Sequence, residues 1–394
     1  MTHRPQAVIV SAVRTPMGSF NGVFSPVPAT KLGSLAIAEA LRRIELRPDR
    51  VDEVYMGSVL SAGLGQAPAR QASMGAGIPN SVGATTVNKV CGSSLMTAIM
   101  AARAVQLGDA KVIVAGGMEN MSRAPYLLEK ARQGYRLGHG ELTDSLIKDG
   151  LWDVYNNFHM GHGGELCAAK YRFTREELDD FALESYRRAR EAVTSGAFAR
   201  EIVPVEVPQK KGPSLVVRED EEPNRADLSK LRSLKPVFQE DGVLTVGNSP
   251  SCNDGAAALV IMADDEAARL GLKPMARIVG YAGAALAPEW FTIAPVEAIK
   301  LVLKQTGLSV GEIDLFEINE AFSSVSLAVN RELGLDPKRV NVHGGAVALG
   351  HPIGATGARI VTTLLHAMEA RGVRRGLASL CIGGGEALAM IVER

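Results

Sequence analysis

Aromatic residues make up only 5% of the 394-residue chain, cysteines number four, and net charge is missing, because 43 Lys+Arg balance 43 Asp+Glu. Each shortage excludes something. A balanced charge gives no support for nucleic acid or a charged membrane surface as a partner. The cysteines, at 91, 167, 252 and 381, are too few for a disulfide framework and contain no CxxC pair. A structural zinc site is therefore not expected, and free thiols suit a reducing compartment. No apolar run is expected to approach the ~18 residues of a membrane helix. The chain enters almost at once a strand-like run, without an apolar signal core or an Arg/Ser-rich transit segment. Its final I-V-E-R is no peroxisomal address. The expectation is a cytoplasmic location.

What is present looks like an ordinary globular chain: 46% hydrophobic and 22% charged residues, with 41 glycines for tight turns and close approaches. The length suits two or three packed units. Short apolar runs (Ala7–Val13, Val54–Val59, Val112–Ala115) alternate with amphipathic stretches (Lys31–Arg43, Thr97–Leu107). That alternation predicts an α/β layer structure around a buried sheet.

The grammar occurs twice. LRPDRVDEVYMGSVL (Leu46–Leu60) lines up with LSVGEIDLFEINEAF (Leu308–Phe322), and KVIVAGGMENM (Lys111–Met121) with LCIGGGEALAM (Leu380–Met390). Two matches in the same order predict a duplicated α/β unit. The stretch between the copies is more polar. In it Thr174-R-E-Glu177 forms a capping box, Leu178, Phe181, Ala182 and Ala189 mark a helix face, and Gly196 stops the helix. A hairpin-like pair surrounds Lys210-K-G-P, and Ala257–Ala263 returns the chain to the first sheet. The expected division is 1–120 for the first half (completed by about 246–270), 121–245 for a loop or lid domain, and 271–394 for the second half.

Four segments carry chemistry. In VNKVCGSSLM, Cys91 stands where a strand-like run ends and a helix-like run begins. A thiol at a helix N-terminus faces unpaired N–H groups and the positive dipole end, which favours thiolate. A buried space-filling cysteine is the plain alternative. In VHGGAVALGHPIGATGARI, His351 is held between Gly350 and Pro352 on a winding loop, as a base or hydrogen-bond donor. It is no GxGxxG fingerprint, and no P-loop lysine follows. In LCIGGGEA, Cys381 ends a strand as an acid/base candidate, and the glycine N–H groups after it suit an oxyanion. In EINEAF, Asn319 could hold a water or carbonyl, with Glu320 and Phe322 turned elsewhere.

VIVSAVRTPMGSFNG, VNKVCGSS, NDGAAAL, NEAF, GGAVALGHPIGATG and CIGGG, in this order and spacing, resemble segments of the thiolase family nearly end to end. The resemblance implies an α/β thiolase fold. That fold has two duplicated α/β halves with mixed five-stranded sheets in a layered αβαβα core, plus an inserted loop domain. It is strongest toward the acetyl-CoA C-acetyltransferase branch, implying reversible Claisen condensation of two acetyl-CoA to acetoacetyl-CoA plus CoA. By resemblance Cys91 is the acyl-accepting nucleophile, His351 the base that helps form its thiolate, and Cys381 the group that exchanges the α-proton. Asn319 holds a water at the enolate oxygen beside His351, while the backbone of Cys91 and Gly383 serves the second oxyanion. Leu151, His159 and Met160 of GLWDVYNNFHMG line the pantetheine channel, and Arg225, Phe238, Ala321 and Phe322 border CoA or acyl groups. His159, His162 and Glu165 could instead suggest a metal on a helix, but their glycine neighbours argue against a regular helix there.

Two departures bear on specificity. The segment GNSPSCNDG puts Pro250 where a pantetheine-facing serine is usual, with Ser249 and Ser251 beside it. Phe291 stands where many bacterial members carry Met, as in relatives that accept a 2-methyl branch. The implied partners are acyl-CoA substrates and further copies of the chain in a homotetramer, a dimer of dimers. No resident cofactor is implied, and a monovalent-cation requirement is left open. Three rivals stand beside this reading. A β-ketoacyl synthase would carry a second histidine in place of Cys381. A non-catalytic CoA- or lipid-binding relative would lack one of Cys91, His351 and Cys381. A Cys/His hydrolase would not need free CoA.

Overall fold

The computed structural model describes residues 5–394. Nine strands form the main sheet: β1 (Ala7–Arg14), β2 (Glu53–Gly57), β3 (Gly83–Val87), β4 (Val112–Asn120), β5 (Asn253–Ala263), β6 (Ala276–Ala285), β7 (Leu315–Ile318), β8 (Arg375–Ile382) and β9 (Glu386–Glu393). Their order is β7-β8-β9-β6-β1-β5-β4-β2-β3, with a two-residue tenth strand, Gly18–Ser19, against β5. The helices that matter are α1 (Ala29–Arg42), α2 (Pro68–Gly75), α3 (Ser93–Leu107), α4 (Met160–Tyr171), α5 (Arg175–Thr194), α6 (Ala294–Thr306), α7 (Ser323–Leu333) and α8 (Thr356–Arg371).

The duplication is visible in the pairing. In the first copy β1, β5 and β4 are antiparallel neighbours, and β4, β2 and β3 run parallel. In the second, β6, β9 and β8 are antiparallel and β8 and β7 parallel. The fifth strand of the second copy shrinks to one parallel bridge, Phe316 to Val340, so that half has four strands and a remnant rather than five. The copies also join edge to edge, since β1 pairs antiparallel with β6 at Val8–Arg277 and Ile9–Ala276.

The two sequence matches fare differently. Leu46–Leu60 and Leu308–Phe322 do contain equivalent strands, β2 and β7. Lys111–Met121 and Leu380–Met390 are out of register. β4 corresponds to β8, because Glu53 pairs with Ile113 as Leu315 pairs with Gly376. Glu119 is thus the counterpart of Ile382, not of Glu386. Glycine-rich strand ends look alike whether the chain runs on or turns back, and the match confused them.

Helices cover the sheets in five layers. α1 and α2 lie outside the first sheet, α3 and α8 between the sheets, and α6 with α7 outside the second. Every residue of β1 and β5 is buried, as strands covered on both faces require. Leu95, Ile99, Ile360 and Leu364 fill the middle layer with Ile113, Ile261 and Leu380 from the strands. A helix enclosed this way is apolar nearly all round. This corrects one expectation. Val90–Leu107 reaches the apolarity of a membrane span over 18 residues, at mean hydropathy 1.3, and more than half of it is buried inside the fold.

Between β4 and β5 the chain leaves the layers. α5 carries the capping box, with Thr174 Oγ1 accepting from Glu177 N and Glu177 Oε2 accepting from Thr174 N, and Gly196 follows its end at φ +75°. Val205–Val207 and Leu215–Val217 form the hairpin around Lys210. α4 is a regular helix through Gly161, Gly163 and Gly164, against expectation. The space those glycines leave is occupied by the rings of Phe238 and Phe291 and, at Gly164, by Leu244 and Phe322, which offsets their poor helix propensity.

Candidate active site

Cys91 sits on a tight turn between β3 and α3. Gly92 N donates to Lys89 O at 3.0 Å, Ser93 N to Val90 O at 3.1 Å, and Ser93 Oγ accepts from Lys89 N at 2.9 Å. The turn forces Val90 to φ +47°, a conformation that a β-branched residue rarely adopts. Strain of this kind persists only where surroundings over-determine it, and here it precedes the candidate nucleophile. Gly92 supplies the close approach: a Cβ there would lie 2.4 Å from Ile382 Cδ1, on the residue after Cys381. A glycine in the first copy therefore admits the end of β8 from the second.

His351 is fixed on both sides. Its backbone N donates to Asn253 Oδ1 at 2.9 Å, and Gly350, at φ +100°, has no room for a Cβ against that same asparagine. The ring Nδ1 lies 2.7 Å from Thr356 Oγ1, whose hydroxyl donates to Pro352 O at 2.9 Å. With its proton committed there, Thr356 accepts from Nδ1–H, which makes Nε2 the unprotonated nitrogen. Asn319 follows β7 and approaches Nε2 with Nδ2 at 3.5 Å, while its buried Oδ1 has no protein partner. Glu119, fully buried at the end of β4, accepts from Val59 N, Leu60 N and Gly354 N at 3.0, 3.2 and 2.9 Å, pinning the turn after His351. Asn253, Thr356 and Glu119 were not among the expected site residues. A threonine five positions after a histidine, at a helix start, was the available hint.

These parts meet in one cavity of about 360 Å³. Cys91, His351, Cys381 and Gly383 line it together with Leu151, His159, Met160, Phe238, Ser249, Phe291, Ala321 and Phe322. Phe322 faces the cavity, as the family resemblance implies and against what EINEAF by itself suggests. Glu320 does turn away, accepting from Ser185 Oγ, Asn341 Nδ2 and Val347 N. Pro250, Ser251 and Cys252 also contribute to the wall, and Ser249 Oγ is buried there without a partner. His159 caps α4, its Nδ1 accepting from Gly161 N at 3.1 Å, and its ring stacks on Phe238 at 5.1 Å. Two expected residues are not on the wall. Asn319 lies beside His351 Nε2 but outside the lining, and Arg225 is exposed and paired with Glu221 at 3.0 Å. His159, His162 and Glu165 do not converge, because the Glu165 carboxylate accepts from Val243 N and Leu244 N. Among the described residues no group of three or more His, Cys, Asp or Glu side chains could hold a metal.

The electrostatics depart from the helix-terminus expectation. Burial pushes the Cys91 thiol up to about 11, although the N–H groups of Gly383 and Cys91 itself pull it down. Burial also raises Cys381 well above the ordinary thiol range, with Cys91 nearby adding to the shift. His351 falls to about 3, through burial and then the positive Arg359. Desolvation outweighs the dipole, so the site holds two thiols and a neutral imidazole rather than a thiolate–imidazolium pair.

A cysteine on a strained turn, an oriented imidazole and a second thiol face one largely apolar cavity, the parts that an acyl-transferring enzyme needs. The family model described as the thiolase N-terminal domain matches residues 7–265, and that of the thiolase C-terminal domain matches 272–394. The chain belongs to the thiolase family. It is 51% identical to the acetyl-CoA acetyltransferase of Escherichia coli over 389 residues, covering 98% of each chain. It is 49% identical to that of Schizosaccharomyces pombe over 390 residues, covering 99% of each. Among solved structures, an acetyl-CoA acetyltransferase of Bacillus anthracis superposes with a TM-score of 0.97 at 42% identity, over the whole of both chains. The Acat5 thiolase of Ascaris suum, in complex with coenzyme A, does so at 0.93 and 45%, over 99% of this chain and 100% of that one.

Proposed function

We propose that the chain is an acetyl-CoA C-acetyltransferase working through an S-acetyl intermediate on Cys91. The observation that carries this is the meeting of Cys91, His351, Cys381 and the Gly383 backbone at one cavity. Relatives named acetyl-CoA acetyltransferase align over nearly their whole length and support the substrate. Neutral starting groups permit balanced proton traffic. The Cys91 proton passes to His351 Nε2 as sulfur attacks the thioester, and Cys381 protonates the departing CoA thiolate. Cys91 is then acetylated, Cys381 is a thiolate and His351 an imidazolium.

A second acetyl-CoA gives its α-proton to the Cys381 thiolate while Nε2–H of His351, with a water on Asn319, stabilises the enolate oxygen. The carbon nucleophile attacks the acetyl group, and the N–H groups of Cys91 and Gly383 receive the tetrahedral oxyanion. One such donor is worth ~3 kcal/mol of transition-state stabilisation. Collapse expels the Cys91 thiolate, which recovers its proton from His351. Thiolysis is the same path reversed. His159 Nε2–H, left free by the bond at Nδ1, is a donor for the substrate thioester or pantetheine. With this reading go a homotetramer and a cytoplasmic location, as the family resemblance and the four free thiols suggest.

The test is a thiolysis assay of purified protein across acetoacetyl-, 2-methylacetoacetyl- and longer 3-ketoacyl-CoAs. Acetoacetyl-CoA is expected to be consumed only when free CoA is added, and faster than the longer substrates. Consumption without CoA would indicate a hydrolase, and rates that climb with chain length would overturn the acetyltransferase assignment. Phe291 lines the cavity, and by its resemblance to relatives that accept a 2-methyl branch, cleavage of 2-methylacetoacetyl-CoA is expected as well.

A further inference from the structure

Three aromatic rings of the cavity wall rest on three glycines of one helix. A Cβ built on Gly161 would lie 2.2 Å from the Phe238 ring, one on Gly163 2.4 Å from Phe291 Cε1, and one on Gly164 3.0 Å from Phe322 Cγ. None of these glycines has the positive φ that would call for glycine on backbone grounds. Alanine would suit the helix better, by ~1 kcal/mol at each position. The missing methyls are therefore space for the rings of Phe238 and Phe291, whereas at Gly164 Leu244 Cδ1, 2.5 Å away, comes closer than Phe322.

The three contacts differ in place. Phe238 is partly exposed and stacks on His159. Phe291 is 3% exposed and belongs to the same buried apolar cluster as Cys381. Its ring has α4 on one side and the cavity on the other, so anything that fills the gap at Gly163 drives it toward the reacting end.

We infer that Gly163 is a specificity-determining residue: its bare Cα lets Phe291 withdraw toward α4, and this sets the width of the acyl pocket. The inference rests on the proposed acyl-CoA chemistry and adds the element that fixes which acyl groups fit. It predicts that Gly163→Ala narrows the pocket for a branch or a longer chain while sparing the two-carbon unit. One methyl-sized change in an apolar pocket alters selectivity by about tenfold or more.

The experiment measures kcat/KM for thiolysis of acetoacetyl-, 2-methylacetoacetyl- and 3-ketohexanoyl-CoA with four proteins: unchanged, Gly163→Ala, Phe291→Leu and the double variant. Gly163→Ala should lower the bulky-to-acetoacetyl ratio about tenfold. Phe291→Leu should raise the 3-ketohexanoyl ratio, and the double variant should return within about threefold of the unchanged enzyme. An unchanged ratio in Gly163→Ala, or a loss that persists in the double variant, overturns the inference. Should Gly163→Ala not fold, recovery of folding in the double variant supports the contact, and failure there refutes it. An unchanged enzyme inactive on acetoacetyl-CoA with CoA refutes the functional reading instead. If it cleaves acetoacetyl- but not 2-methylacetoacetyl-CoA, the ratio is read on 3-ketohexanoyl-CoA.

Discussion

The two copies share strand order and pairing direction, yet they part at the loop that enters the middle-layer helix. In the first copy the chain passes from β3 through one tight turn into α3, and Cys91 stands on that turn. In the second, a short helix at Ala346–Leu349 and the Gly350–Ala355 turn come between the strand remnant at Val340 and α8. The added turn carries His351. The strand ends differ in a complementary sense. Asn319 follows β7 where Gly57 ends β2, and Cys381 lies in β8 where Met118 lies in β4. A Cβ on Gly57 or Gly117 would lie 2.6 or 2.1 Å from Gly354 O. The first copy's strand ends are thus trimmed to receive the second copy's loop, and one active site grows out of two similar units.

This asymmetry can be broken from the second copy's side with the largest effect. His351→Asn removes the proposed base but keeps a small polar group. It should lower turnover about 10³-fold, within the range of a lost general base. Thermal melting run alongside should move little, because the backbone bond to Asn253 is retained. Turnover within tenfold of the unchanged enzyme would show that the loop serves packing alone.

A smaller effect sharpens the first copy's part. A thiol raised to about 11 is protonated at neutral pH, and its thiolate fraction rises about tenfold per pH unit below that value. Iodoacetamide alkylation of Cys91 in the free enzyme, followed by mass spectrometry, should climb with that slope from about pH 7 to 9. A plateau reached below pH 8 would mean that the thiolate is already formed and that the helix terminus outweighs burial.

Much of this was legible in the sequence, and the reasons are local. The capping box at Thr174, the hairpin around Lys210 and the strand grammar around β2 and β7 depend on neighbours along the chain, so residue type and spacing reveal them. Cys91, His351 and Cys381 were legible through six family-like segments. What escaped depends on distant packing. The helix through Gly161–Gly164 is stabilised by rings from far segments, which local propensity does not register. Thiolate at Cys91 was expected from the helix terminus, but the expectation ignored the desolvation of a sulfur packed among residues of both copies. Arg225 lies on an exposed short helix, paired with Glu221, and charge pattern alone could not tell it from a cavity residue.

In the proposed reaction the first copy supplies the acyl carrier and the second the proton handlers. Intact-mass analysis after mixing acetyl-CoA with Cys91→Ala and Cys381→Ala variants tests it most directly, with acetoacetyl-CoA formation followed in the same samples. No acetyl adduct is expected on Cys91→Ala, and an adduct on Cys381→Ala that does not go on to acetoacetyl-CoA. An adduct on Cys91→Ala, or ready condensation by Cys381→Ala, would contradict it.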